Sequence, residues 1–136
     1  MRLWHIDLIK FLDDKRLLAQ HRECCALRGN GWNRHHSTVD YVFKHDFKYL
    51  VSYHWYVMMI MDERGYNVDS KWWGSNYRGR HCERNDCQLY GTDEDLRYPE
   101  HNKDYLRFCI NKLKEKKAVL KVSYEKLEEV LHDKLC

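Results

Sequence analysis

With 136 residues, 43% hydrophobic content and a single proline, the chain is long enough to bury a real core and reads as one compact domain rather than a disordered tail. Lys and Arg number 24 against 21 Asp and Glu, leaving a net charge of +3, so any site for a polyanion has to come from local clustering. The N-terminus lacks the basic-then-apolar layout of a secretion signal, and no apolar run approaches the roughly 20 residues that cross a bilayer. A cytoplasmic protein that does not engage membranes is expected.

The predicted elements are helical, and strand alternation is scarce. Leu17, Leu18, His21, Cys24, Cys25 and Arg28 follow the spacing of one helix face, which predicts a helix from about Asp13 to Arg28 ended by Gly29 and Gly31. On its other side lie Ala19, Arg22, Glu23 and Ala26, where two small residues leave room to approach the arginine and the carboxylate. A second helix is predicted from an N-cap at Asp46 to Arg64, with Phe47, Leu50, Val51, His54, Val57, Met58 and Met61 on one stripe and Gly65 at its end. The segment Tyr66 to Arg97 has turn formers and little periodicity, and a loop of that length in a small domain is usually functional. A third helix is predicted to open at Tyr98-Pro99-Glu100 and to carry Leu106, Cys109, Ile110 and Leu113 inward before the basic run Lys114 to Lys117. After a short extended link at Val119 to Val122, Ser123 caps a last helix with Leu127, Val130, Leu131 and Leu135 inward. The fold class is mainly α: a single compact helical domain of three to four helices, with a long irregular loop between the second and third.

The six cysteines do not form a disulfide framework, because Cys24 and Cys25 adjoin on a helix, Cys109 falls on a helical stripe and Cys136 is the last residue. There is no CxxC pair. His81, Cys82 and Cys87, with His35 and His36, are a zinc alternative of loose spacing, so no metal and no cofactor are expected.

Positive charge gathers in two segments together with aromatic and glycine residues. Arg22, Arg28 and Arg34, with His35 and His36, surround Trp32 in the first; Lys71, Arg78, Arg80 and Arg84 flank Trp72, Trp73 and Tyr77 in the second. Arginine forks grip phosphate oxygens, glycine lets backbone approach them, and indole rings stack on exposed bases. A solvated basic loop whose tryptophans pack on the core accounts for the same composition. Within the first segment Glu23 is the lone acid among arginines. An ion-paired surface carboxylate is its plain explanation; a catalytic one needs a partner, which the α-amine of Met1 offers, being partly unprotonated near neutral pH.

Arg2-Leu3-Trp4, Leu8-Ile9, the run Leu17-Leu18-Ala19-Gln20-His21-Arg22-Glu23, and Arg64-Gly65-Tyr66-Asn67 resemble the landmarks of the phage-type pyrimidine-dimer DNA glycosylase family and its bacterial relatives. The likeness covers roughly residues 1 to 67, and its most specific part is the helix motif ending in Arg22-Glu23. It implies a small, mostly helical, metal-free repair enzyme, acting on damaged double-stranded DNA, that flips a nucleotide out, cleaves the glycosidic bond through an imine and nicks the strand by β-elimination; separately, a monomer is expected. Pyrimidine dimers are among the lesions it suggests. By the same likeness Glu23 matches the catalytic glutamate, the Met1 amine the nucleophile, and Arg2 and Arg22 the arginines that grip backbone and flipped base, with Arg28 near a further phosphate-binding position. The expected DNA-contacting set is Arg2, Arg22, Arg28, Trp32, Arg34, Lys71, Trp72, Trp73, Arg78 and Arg80, with Trp32, Trp72 or Trp73 filling the vacated stack.

One departure bears on activity. Arg2 follows Met1, so Met1 is expected to be retained in place of the threonine whose amine serves the phage enzymes, and the interval from that arginine to the glutamate is one residue longer. A slip of one extended residue moves an atom about 3.3 Å, which a bulge or a tighter first turn must absorb. A nucleic-acid-binding protein of the same fold without imine chemistry is the alternative reading.

Overall fold

The computed structural model describes residues 2–29 and 37–136. Of the expected site residues, Met1, Trp32 and Arg34 lie outside them, as do His35 and His36. The described residues are helical and contain no strand: α1 (Asp14–Arg28), α2 (Phe47–Glu63), α3 (Lys103–Glu115), α4 (Tyr124–Val130) and the short α5 (His132–Leu135), with 3-10 turns at Ile6–Phe11, Asp40–Lys44, Ser70–Trp73 and Glu94–Leu96. No helix among them is long and apolar enough to cross a membrane.

Local chemistry sets the helix ends. The Asp46 carboxylate accepts from the Lys48 amide at 2.9 Å and opens α2, satisfying one of the donors a helix start leaves free. Gly65, at φ +89°, closes it in a backbone conformation that a Cβ would strain. Asn102 caps α3 by accepting from the Tyr105 amide at 2.9 Å, and Ser123 caps α4 through the Lys126 amide at 3.1 Å.

The third helix therefore starts later than its proline suggested. Residues Tyr98 to His101 form a turn closed by the His101 amide on the Tyr98 carbonyl at 2.9 Å. That turn drives the Tyr98 and His101 side chains into the interior, and the Asn102 cap then sets the first helical residue. The last helical stretch also breaks, at Leu131, into α4 and α5.

The core is built where α1 packs along α2 and the N-terminal 3-10 turn lies against α2. Leu3, Leu8, Ile9, Leu12, Leu17, Val51, Val57, Leu113 and Leu127 are fully buried, each such side chain contributing on the order of 1.5–3 kcal/mol. The buried line of α1 is Leu17, Gln20, Cys24, Leu27 and Arg28, while Leu18, His21 and Cys25 are only half-buried. Two polar residues thus occupy core positions of α1, and each has a reason in the site.

Candidate active site

The segment Arg2 to His5 belongs to no helix or strand, yet its backbone groups are met by side chains from three helices. From α1, the Glu23 carboxylate accepts the Arg2 amide at 2.9 Å. Gln20 accepts the Trp4 amide at 2.7 Å through Oε1 and donates to the Arg2 carbonyl at 2.9 Å through Nε2. From α2, the Tyr53 hydroxyl lies 2.6 Å from the Trp4 carbonyl. From α3, the Tyr105 hydroxyl donates to the Leu3 carbonyl at 2.6 Å. An orphaned buried backbone group costs about as much as a lost hydrogen bond, so this set holds the segment in one register against α1.

Glu23 is half-buried at the end of this arrangement. Burial pushes its carboxyl above the usual range, while the Arg2 amide and the Gln20 side chain work in the opposite direction by bonding the ionised form. The Arg2 guanidinium turns the other way and sits between the Trp4 and Phe108 rings, at 5.7 and 5.0 Å from their centroids. This holds the guanidinium against Phe108 of α3, from where its charge still favours the ionised carboxylate.

A second group of the expected residues lies around the next face of α1. Arg22, Trp72, Arg78 and Arg80 line a groove of about 830 Å³ whose α1 wall is completed by His21, Cys25, Ala26 and Gly29. Arg22 and Arg80 are exposed, and Lys71 is exposed just before Trp72. The groove closes tightly at Gly29: a Cβ there would come within 3.1 Å of the Arg78 carbonyl. Arg78 itself donates from Nε to the Arg28 carbonyl at 2.8 Å, which ties the loop to the end of α1.

Two residues of the expected set stand elsewhere. Arg28 is 0% exposed, with its guanidinium donating to the Trp72 carbonyl at 2.9 Å and the Gly74 carbonyl at 2.6 Å, and to His54 Nδ1 at 3.1 Å. Burial lowers its pKa to about 10, so it stays charged at neutral pH and anchors the loop from inside, where it meets no phosphate. Trp73 turns from the groove: its ring packs edge-on against Trp55 at 4.6 Å, in a shallow depression shared with Met59, Asp62 and Glu63.

His81, Cys82 and Cys87 do not converge. Cys87 is buried with its carbonyl accepting from Ser75 Oγ at 2.8 Å, Cys82 Sγ lies 3.5 Å from the Gly29 carbonyl, and His81 is exposed. Among the described residues the grouping with metal-ligand proximity is His21, Cys25 and His54. Its hydrogen bonds argue for a different role. Arg28 can only donate, so His54 Nδ1 accepts and the proton of the neutral ring sits on Nε2, which donates to His21 Nδ1 at 2.8 Å. A metal-bound imidazole instead donates its second N–H to an acceptor, and here that nitrogen faces a cation. Burial keeps His54 and His21 below the ordinary histidine value, in keeping with a neutral relay.

The sequence reading passed over Gln20 and Tyr53. Gln20 falls three residues before Glu23, at a position whose helical phase points inward, and a buried glutamine one turn from a lone carboxylate was the available signal.

A family model described as pyrimidine dimer DNA glycosylase matches residues 1–74, just over half of the chain and the stretch that holds Glu23, Gln20, Arg22 and the Trp72 side of the groove. The chain belongs to this family of DNA repair proteins. No curated protein and no solved structure matches it.

Proposed function

We propose that the chain is a DNA glycosylase with associated abasic-site lyase activity, acting on damaged duplex DNA with the Met1 α-amine as nucleophile and Glu23 as the essential carboxylate. The observation that carries this reading is the hydrogen bond from the Arg2 amide to Glu23 at 2.9 Å. That amide is the nitrogen of the peptide link to residue 1, so the carboxylate that would serve the reaction bonds the backbone next to the proposed nucleophile. The 3-10 turn Ile6–Phe11 lies between this segment and α1, a tighter first turn of the kind that a one-residue longer interval calls for.

In the proposed reaction the amine nitrogen bonds to C1′ of an extruded nucleotide as the bond from C1′ to the base breaks, and the base leaves with a proton. The sugar ring then opens at its C1′–O bond, O4′ takes a proton, and an imine to the amine remains. Loss of a C2′ proton expels the 3′ phosphate, and water hydrolyses the imine to restore the amine. Glu23 serves as the local carboxylate that accepts and returns these protons, a task suited to a carboxyl whose protonated form burial favours. Arg22, Arg78 and Arg80 and the face of Trp72 supply the groove for phosphates and bases, and the Arg2 charge favours the ionised carboxylate. Extrusion costs least at a damaged pair, which favours lesions, pyrimidine dimers included.

Borohydride trapping of the untagged protein on a duplex with one abasic site tests this, followed by mapping of the adducted residue. An adduct at the residue 1 amine supports the reading. A bound duplex without adduct overturns it in favour of a binding protein of the same fold.

A further inference from the structure

We propose that Gln20, seconded by Tyr53, is the positioning residue that sets the register between the N-terminal amine and Glu23, its side-chain amide standing in for the neighbouring strand that Arg2 to His5 lacks. This rests on the reading of Glu23 as the working carboxylate and of residue 1 as the nucleophile.

Gln20 is 2% exposed and makes polar contacts at every functional atom. Its Oε1 takes the Trp4 amide at 2.7 Å and lies 3.0 Å from the Tyr53 hydroxyl. Its Nε2 gives one proton to the Arg2 carbonyl at 2.9 Å and points the other at Glu23 Oε2 at 3.4 Å. The orientation of the amide is forced, because reversing it would set its NH₂ against the Trp4 amide and its oxygen against the Arg2 carbonyl.

One side chain therefore bonds the carbonyl of residue 2 and the amide of residue 4, as a partner strand would, while reaching the carboxylate that receives the amide of residue 2. A slip of the segment by one residue would break these bonds together and turn its side chains over. Tyr53, 2% exposed on α2, closes the set from the far side by bonding the Trp4 carbonyl at 2.6 Å. An apolar side chain of the same volume would fill the space on α1 but would leave the Trp4 amide and the Arg2 carbonyl without this partner.

Three variants separate positioning from stability. Gln20→Glu keeps shape and acceptor but loses both donors and brings a like charge to Glu23. Its trapping rate on the abasic duplex is expected to fall about 10²-fold, the scale of a misplaced reacting group, with duplex affinity unchanged. The acid-side midpoint of its rate profile is expected to rise, because a second carboxylate disfavours ionisation of the first. Gln20→Met removes all four contacts at similar volume; it should slow trapping and speed hydrogen exchange of the Trp4 amide. Tyr53→Phe should slow trapping less and leave the midpoint in place.

Circular dichroism reports whether each variant folds, and Tyr53→Phe, losing one oxygen, decides the matter if the glutamine variants do not. Folded variants with wild-type trapping rate, midpoint and Trp4 exchange overturn the inference. Absence of an adduct with the wild-type protein is a different failure, that of the imine reading, and Trp4 exchange reads the register without any chemistry.

Discussion

The N-terminal pole and the basic groove share α1 but are held by opposite means. At the pole, side chains bond a short backbone segment from several helices, and the polar atoms converge on one carboxylate. At the groove, a single buried cation, Arg28, bonds the carbonyls of Trp72 and Gly74 and so fixes a loop whose own arginines remain outside. The difference separates two requirements of repair chemistry. A reacting group needs sub-ångström placement, whereas a phosphate-binding surface needs charge at the right distance and tolerates moving side chains.

Glu23→Gln is the strongest way to break the pole alone. It should lower strand cleavage at least about 10³-fold, as expected for loss of an essential carboxylate, while gel-shift affinity for an abasic duplex stays within about twofold because the groove is untouched. Loss of both together would mean that the two regions are not separable. Because burial raises this carboxyl, its ionised form weakens the fold as pH rises through its folded pKa. The variant should therefore unfold at neutral pH no more readily than wild type.

Acid should also weaken the pole, through histidines. Burial lowers His5 to about 4 and His101 to about 3, so below about 6.5 the unfolded chain takes up protons that the folded chain refuses. Stability is thus fully present above about 6.5 and is lost as pH falls toward the folded values. At pH 5 the pair costs on the order of 4 kcal/mol, about 1.4 per pH unit for each ring. Urea unfolding at pH 7 and pH 5 measures it, and equal midpoints would contradict the neutral, buried state of both rings.

The helices were legible because apolar spacing and capping residues are local signals: Asp46, Ser123 and Gly65 mark ends that the structure retains. The start of α3 was misjudged because Pro99 suits both a turn and a first helical turn, and the choice was made by Asn102 and by burial of His101. The motif around Glu23 was legible as a run, and the structure adds where that run points. Gln20 was passed over because a glutamine reads as surface on composition, and its partners are backbone atoms of residues 2 and 4, which carry no side-chain signal. Arg28 shows the converse: its spacing puts it on the same helix face as Leu17 and Cys24, and the structure buries it there. What spacing alone does not show is that carbonyls of Trp72 and Gly74 surround its guanidinium.

The groove offers smaller and more graded tests. Arg28→Met should cost about 3 kcal/mol in thermal or urea unfolding, since it leaves the Trp72 and Gly74 carbonyls and His54 without their donor. It should also loosen the loop, so that duplex affinity falls although no phosphate contact is removed. The decisive contrast is with the exposed cations. Arg22→Ala and Arg80→Ala should leave stability within about 0.5 kcal/mol, weaken duplex binding several-fold, and each reduce the slope of log affinity against log salt by about 0.9, one phosphate's worth of released counterions. Arg28→Met should leave more of that slope in place per unit of affinity lost, because its effect passes through loop position rather than charge at the surface. Equal slopes for wild type and Arg22→Ala would remove Arg22 from the phosphate surface and leave the groove to the residues after Trp72.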